Sequence, residues 1–264
     1  MPQNTNAPIG VFDSGVGGLS VLKEIRALLP REQLLYVADS GFAPYGDKSR
    51  DYISERCEYI VRFFLSQQVK AIVVACNTAT SVAVDGLRAW CSVPIIAMEP
   101  AIKPAALHTK SGVVGVLATT QTIGSANVNR LIAEHGQDMT VLLRACAGFV
   151  ERVEAGALSG DETEDLVRHH VLPLLAQGAD TLVLGCTHYP FLAETIKVVA
   201  GDNISIIDPS AAIARELKRR LSEQNKLTTD SAQGSERFLS SGDVCQAQSI
   251  ISQLWGKPVV VNLL

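Results

Sequence analysis

Two stretches of this sequence share one grammar and constrain the fold more than any total does. Residues 69–80 (VKAIVVACNTAT) climb through a short apolar run to a cysteine, and small polar residues follow where a helix should begin. Residues 179–190 (ADTLVLGCTHYP) repeat the pattern. The two cysteines, Cys76 and Cys186, lie 110 residues apart, each closing a run of the length and aliphatic content of a buried strand. Similar runs occupy residues 9–12, 34–38, 94–98, 112–117, 140–143 and 204–207, with helical patterns over residues 19–29 and 49–67 and two more flanking 156–161. Short aliphatic strands alternating with helices indicate βα units, and hence a parallel sheet covered on both faces.

The strand ends recur at a nearly constant offset. Val11 matches Val116, Cys76 matches Cys186 and Glu99 matches Asp208, at offsets of 105, 110 and 109 residues. Two similar half-chains are therefore expected. Beyond Asp208 a helix reaches about residue 224, residues 225–235 form a polar loop, and the tail from Arg237 reads strand, helix, strand, ending at Val259-Val260-Val261. The expected architecture is α/β: two similar domains, each a parallel sheet flanked by helices, with the active site in the cleft between them. The tail returns to the first domain, giving residues 1–98 plus 209–264 as one unit and 99–208 as the other.

Composition narrows the function. A hydrophobic content of 47% with 19% charged residues describes an ordinary globular chain with a sizeable core. A net charge of −4 argues against a broad nucleic-acid footprint, which usually needs a basic face. No apolar run approaches the roughly 20 residues that span a bilayer. Residues 1–8 show neither a basic n-region nor an apolar h-region, so no secretory signal is expected. Cysteines at 57, 76, 91, 146, 186 and 245 are scattered without a C-x-x-C, which suggests reduced thiols and a cytoplasmic protein. Cys57, Cys91 and Cys245 read as small core or helix residues, and Cys146 is left open.

In open parallel sheets, ligands sit outside the carboxyl ends of the strands. Asp13, the Tyr45-Gly46 loop, Cys76, Thr119, Cys186 and Asp208 all fall at such ends. The glycine-rich segment after the first strand is a poor dinucleotide fingerprint: Gly15 and Gly17 fit, Ser20 replaces the third glycine, and Asp39 stands where a ribose-binding acid would. A Walker pattern fails at Val16, where lysine is required. Asp13-Ser14-Gly15 instead offers a carboxylate, a hydroxyl and bare N–H groups at a helix N-terminus, which suits a small anionic ligand.

Cys76 and Cys186 each admit a core reading, since free cysteine is often buried. At a strand-to-helix junction, however, a thiol feels the positive end of the helix dipole, which favours the thiolate. Both also carry polar neighbours, Asn77-Thr78 and Thr187-His188. A zinc site using Cys76, Cys186 and His188 lacks a compact four-ligand pattern, so no metal is expected. A Cys–His hydrolase would explain one thiol and leave the other idle. His108, His135, His169 and His170 read as surface or helix-end residues without a role.

Residues 13–21 (DSGVGGLSV), 44–46 (PYG), 75–80 (ACNTAT) and 185–190 (GCTHYP) together resemble the aspartate/glutamate racemase family, and the resemblance runs in order from about Ile9 to Leu221. Glu99-Pro100-Ala101 and Val153-Glu154-Ala155-Gly156 also resemble family segments. The resemblance implies a cofactor-independent enzyme that interconverts L- and D-glutamate to supply peptidoglycan synthesis, in a homodimer with its site between two α/β domains. It implies that Cys76 takes the Cα proton from D-glutamate and Cys186 from L-glutamate. Asp13, Glu154 and His188 correspond to groups that assist the thiols, and Asp13-Ser14, Tyr45-Gly46, Asn77-Thr78 and Thr187-His188 to substrate-binding pairs. Alternatives are an aspartate or related racemase of the same superfamily, a cysteine hydrolase, and an amino-acid-sensing module.

Overall fold

The computed structural model describes residues 5–264; residues 1–4, part of the stretch expected to carry no secretory signal, lie outside the described residues. Two compact units are present, one formed by the chain up to Met98 together with Ser210–Leu264, the other by Glu99–Pro209.

The first unit opens with β1 (Ile9–Asp13), α1 (Leu19–Leu28), β2 (Leu34–Ala38), α2 (Arg50–Ser66), β3 (Ala71–Val74), α3 (Asn77–Arg88) and β4 (Ile95–Ala97). The second holds α4 (Ile102–His108), β5 (Val113–Ala118), α5 (Thr120–Ile123), α6 (Ala126–His135), β6 (Thr140–Ala145), α7 (Phe149–Glu154), α8 (Asp161–Leu175), β7 (Thr181–Leu184), α9 (Ala193–Ala200) and β8 (Ser205–Ile207). The chain then re-enters the first unit as α10 (Ser210–Glu223), β9 (Glu236–Ser240), α11 (Val244–Trp255) and β10 (Val261–Leu263).

All pairings are parallel. The first sheet runs β10-β9-β2-β1-β3-β4 and the second β6-β5-β7-β8. The second order is the first order's β2-β1-β3-β4 shifted by four strands, so the repeat seen in the strand ends is a repeat of topology. Every residue of β1, β2, β3 and β7 is buried, as a sheet covered on both faces requires, and this is why these strands read as continuous apolar runs rather than alternating ones. Gly10 and Gly115 occupy equivalent places in β1 and β5. A Cβ on Gly10 would lie 2.8 Å from the Phe64 ring, and one on Gly115 would lie 2.8 Å from Leu182 and 2.9 Å from Leu174. Both central strands are bare at that point because large side chains lie directly on them.

Helix α2 shows how the covering layer is set. Ser49 accepts the Tyr52 N–H at its start, and Ile53, Cys57, Ile60, Val61 and Phe64 recur at helical spacing on the buried face. Burying each larger side chain contributes about 1.5–3 kcal/mol. The tail is held by β9, which pairs with β2 from Leu34↔Glu236 to Ala38↔Ser240. The loop before it is tied down by Glu32, which accepts the Thr228 N–H at 2.8 Å and pairs with the buried Lys70. The final strand starts at Val261 rather than ending there, because Gly256 closes α11 at φ +88 and Pro258 then has no N–H to offer a ladder. Among the described residues no helix is long and apolar enough to cross a membrane.

Candidate active site

In this strand order the direction of winding reverses between β1 and β3, the place where open α/β sheets bind ligands. Cys76 lies two residues past β3 and is the N-cap of α3: its Sγ accepts the Ala79 N–H at 3.4 Å, and its thiol is 3.7 Å from Ser14 Oγ, beyond the end of β1. An N–H aimed at sulfur from a helix N-terminus is the setting that favours an anion there. Asn77 and Thr78, in the first turn of α3, are buried. Both polar atoms of the Asn77 amide lack a partner among the described residues. A buried amide left in this state is paired in most proteins, so its geometry suits a polar ligand.

Asp13 ends β1 fully buried, and its Oδ2 accepts the Gly18 N–H at 2.8 Å. The glycine-rich turn therefore does not offer all of its N–H groups to a ligand; one is taken by Asp13 itself. Tyr36 donates its hydroxyl to the Gly15 carbonyl at 2.8 Å and fixes the same turn. A Cβ on Gly18 would sit 2.7 Å from Asp13 Cβ and 3.1 Å from Ala75 Cβ, atoms that cannot swing away. Gly18→Ala is expected to destabilise the protein by about 1–3 kcal/mol and to displace Asp13. A thermal midpoint equal to that of the parent protein would contradict this.

Tyr45 and Gly46 stand in a short 3-10 turn, Tyr45–Asp47. The Tyr45 hydroxyl donates to Asp39 Oδ2 at 2.5 Å, and Arg56 of α2 grips both oxygens of the same carboxylate, Nε at 3.0 Å and Nη2 at 2.8 Å. Burial first, then the nearby Cys57 and Asp39, push the Tyr45 phenol far above its ordinary value, so it stays a neutral donor. Asp39, considered above as a ribose-binding acid, is thus committed inside the protein. The Asp39–Arg56 node went unnoticed in sequence because 17 residues separate its members.

The second thiol is built differently. Cys186 follows β7, and its carbonyl accepts the Tyr189 N–H at 3.1 Å, turning the chain into a 3-10 segment, Tyr189–Leu192. Helix α9 begins only at Ala193, so the expected helix N-terminus is absent at this thiol. Pro190 at the start of the segment has no N–H to point back at sulfur. A side-chain relay stands in its place: Cys186 Sγ is 3.7 Å from His188 Nδ1, and His188 Nε2 is 2.7 Å from Glu154 Oε1, at the end of α7. Burial pulls the His188 pKa down, but hydrogen bonds to Cys186 and Glu154 outweigh it and hold the imidazole well above its usual value. Thr187 is buried between the two.

Cys146, left open above, is a core thiol: burial raises its pKa, and it donates to the Arg144 carbonyl at 3.5 Å. His170 differs from expectation. It is buried in α8, with Nε2 3.0 Å from the Ala147 carbonyl, Nδ1 accepting from Arg144 Nε at 3.2 Å, and its ring edge-on to Phe149. Phe149 in turn meets Tyr189 at 5.1 Å, so His170 supports the wall behind the second thiol. Its spacing with Val167, Val171 and Leu174 was the signal for burial. Thr119 caps α5 through the Thr122 N–H, and Asp208 lies just past β8.

Two parallel sheets in one strand order, each with a thiol two residues past its third strand, define a duplicated α/β protein. Comparison with known proteins agrees. Residues 9–217 match the Asp/Glu/hydantoin racemase family. The chain is 52% identical over 260 residues to the glutamate racemase of Ectopseudomonas mendocina (strain ymp), covering 98% of each. Its structure matches Bacillus anthracis glutamate racemase isoform RacE1 with a TM-score of 0.89 at 33% identity, covering 99% of this chain and 98% of that one. It matches Escherichia coli glutamate racemase, solved with L-glutamate and the activator UDP-MurNAc-Ala, with a TM-score of 0.86 at 33% identity, covering 97% and 98%. The chain belongs to the Asp/Glu/hydantoin racemase family. It is an isomerase.

Proposed function

We propose that this enzyme interconverts L- and D-glutamate by two-thiol acid–base chemistry at Cα, without a cofactor. The observation that carries the proposal is the equivalent placement of Cys76 and Cys186 after β3 and β7 of matching sheets. Inversion of a stereocentre by proton transfer needs removal from one face and delivery to the other. One thiolate takes the Cα proton, the electron pair passes into the substrate carboxylate as an enediolate, and the other thiol returns a proton to the opposite face. The two sulfurs then end the turnover with their protonation states exchanged. Cys76 acts on D-glutamate and Cys186 on L-glutamate.

The Cα proton is weakly acidic, so the enediolate must be stabilised by fixed donors. The Asn77 amide, the Thr78 and Thr187 hydroxyls and nearby N–H groups supply them, Tyr45-Gly46 and Ser14 complete the substrate contacts, and Asp13 assists Cys76. His188 and Glu154 form the relay that assists Cys186. Relatives about 50% identical over nearly the whole chain carry the name glutamate racemase, which supports glutamate over aspartate. The same resemblance extends the proposal to a cytoplasmic homodimer that supplies D-glutamate for peptidoglycan.

The test is polarimetry of D-glutamate with full-length protein dialysed free of pyridoxal phosphate and metals. Decay to zero rotation is the expected result. A flat trace with D-glutamate and decay with D-aspartate would reassign the substrate, and flat traces with both would overturn the proposal.

A further inference from the structure

The two-thiol chemistry leaves Asp39 and Arg56 unused, yet they form a bidentate ionic node at the end of β2. Asp39 follows β2, and its N–H donates to the Asp13 carbonyl at 3.0 Å, which keeps it level with the end of β1. Its carboxylate is fully buried and accepts three hydrogen bonds, two from the Arg56 guanidinium fork and one from the Tyr45 hydroxyl. A carboxyl group buried to this degree is costly unless its oxygens are hydrogen-bonded, and here both are. The fork geometry of arginine meets both oxygens at once, which a lysine cannot do. The guanidinium is itself fixed, 3.5 Å above the Phe42 ring and 4.8 Å from that of Tyr59.

Phe42 and Tyr45 belong to the loop that carries the Tyr45-Gly46 pair, so Arg56 holds that loop at two points. The loop's far side is held separately. Gly41 donates its N–H to Ser241 Oγ at 3.2 Å, and a Cβ there would lie 2.5 Å from the Ser241 carbonyl oxygen. Its outer face is therefore fixed by backbone packing, and its inner face by one ionic node.

We propose that Arg56 is a positioning residue for the racemase: acting through Asp39, it holds the Tyr45-Gly46 turn in the form that binds substrate. This rests on the assignment of Tyr45-Gly46 to substrate binding. Without the guanidinium, the Asp39 carboxylate loses two of its three hydrogen bonds and the fork that fixes its orientation, so the Tyr45 hydroxyl loses a fixed acceptor. The thiols are anchored on other elements, so the loss falls on binding rather than on proton transfer.

The experiment compares wild-type protein with Arg56→Ala, Arg56→Lys and Tyr45→Phe, measuring glutamate turnover and, independently, D-glutamate binding by calorimetry, each about 20 °C below that variant's own thermal midpoint. In Arg56→Ala, KM and Kd are expected to rise at least about tenfold while kcat stays within about threefold. Arg56→Lys should recover part of the affinity, and added methylguanidinium should lower the KM of Arg56→Ala but not of wild type. Wild-type KM and Kd in folded Arg56→Ala, or loss of kcat at unchanged KM, would overturn the proposal and leave the pair a structural one. If Arg56→Ala does not fold, Tyr45→Phe decides: it keeps the ring and removes the hydroxyl bond to Asp39, and wild-type affinity there overturns the proposal equally. Wild-type protein that neither turns over nor binds glutamate would instead refute the functional assignment, and this proposal with it.

Discussion

Replacing either thiol alone, as Cys76→Ala or Cys186→Ala, is expected to lower kcat for racemisation in both directions by about 10³-fold or more. A positioned acid or base contributes typically 10²–10⁴-fold, and in the proposed mechanism each turnover uses both groups. The asymmetry of the two sites adds a control. Cys76 caps α3 through its sulfur, and loss of a cap costs about 0.5–2 kcal/mol, so Cys76→Ala combines a chemical and a structural effect. Cys76→Ser keeps a capping oxygen but replaces the thiol with a far weaker acid. It should retain more of the parent thermal midpoint than Cys76→Ala and remain inactive. Circular dichroism of L- and D-glutamate measures both directions. Turnover within tenfold of wild type in either alanine variant would refute the two-thiol mechanism, and a single silent cysteine is what a hydrolase predicts.

The next largest effect belongs to the His188–Glu154 relay. His188→Asn should lower kcat by about 10²-fold, because it removes the group next to the Cys186 sulfur. Glu154→Gln should act more mildly and shift the pH dependence. The folded-state pKa of His188 is raised, so its contribution to stability is complete below the unfolded value near 6.5 and is lost as pH rises through the folded value. The Glu154 carboxylate favours the imidazolium, so the Gln variant should deprotonate His188 at lower pH. The alkaline limb of kcat/KM for L-glutamate and the alkaline fall in thermal midpoint should both move toward neutrality. An NMR titration of His188 that is unchanged in Glu154→Gln would contradict the relay.

The legible parts of this protein were those written in short range. Strands buried on both faces leave continuous aliphatic runs, so β1, β3 and β7 and the parallel α/β class could be read directly. The repeat was visible through strand ends because topology, rather than sequence identity, is what the halves share. The last strand was placed too early because Val259 and Val260 look like strand residues, while Gly256 and Pro258 determine where the ladder can begin. The helix-end expectation held for Cys76 and failed for Cys186: Asn77 and Thr78 continue a helix, whereas Pro190 sets a 3-10 turn. His170 was misread because a paired histidine looks solvated until its spacing with Val167 and Val171 is weighed. Long-range ionic nodes such as Asp39–Arg56 leave no local pattern at all.

The return of the tail to the first sheet sets an order of birth. Strand β9 pairs with β2 across 202 residues of chain, and Ser241 clasps Gly41 across 200. The second unit, by contrast, is one uninterrupted segment from Glu99–Pro209. During synthesis the Cys186 relay therefore has all its residues available before the loop carrying Tyr45 can receive its outer clasp. Contacts between such distant residues form late and slowly. A nascent chain stalled before β9 carries both cysteines but an unfinished first sheet, which is completed only once β9 and β10 have been made.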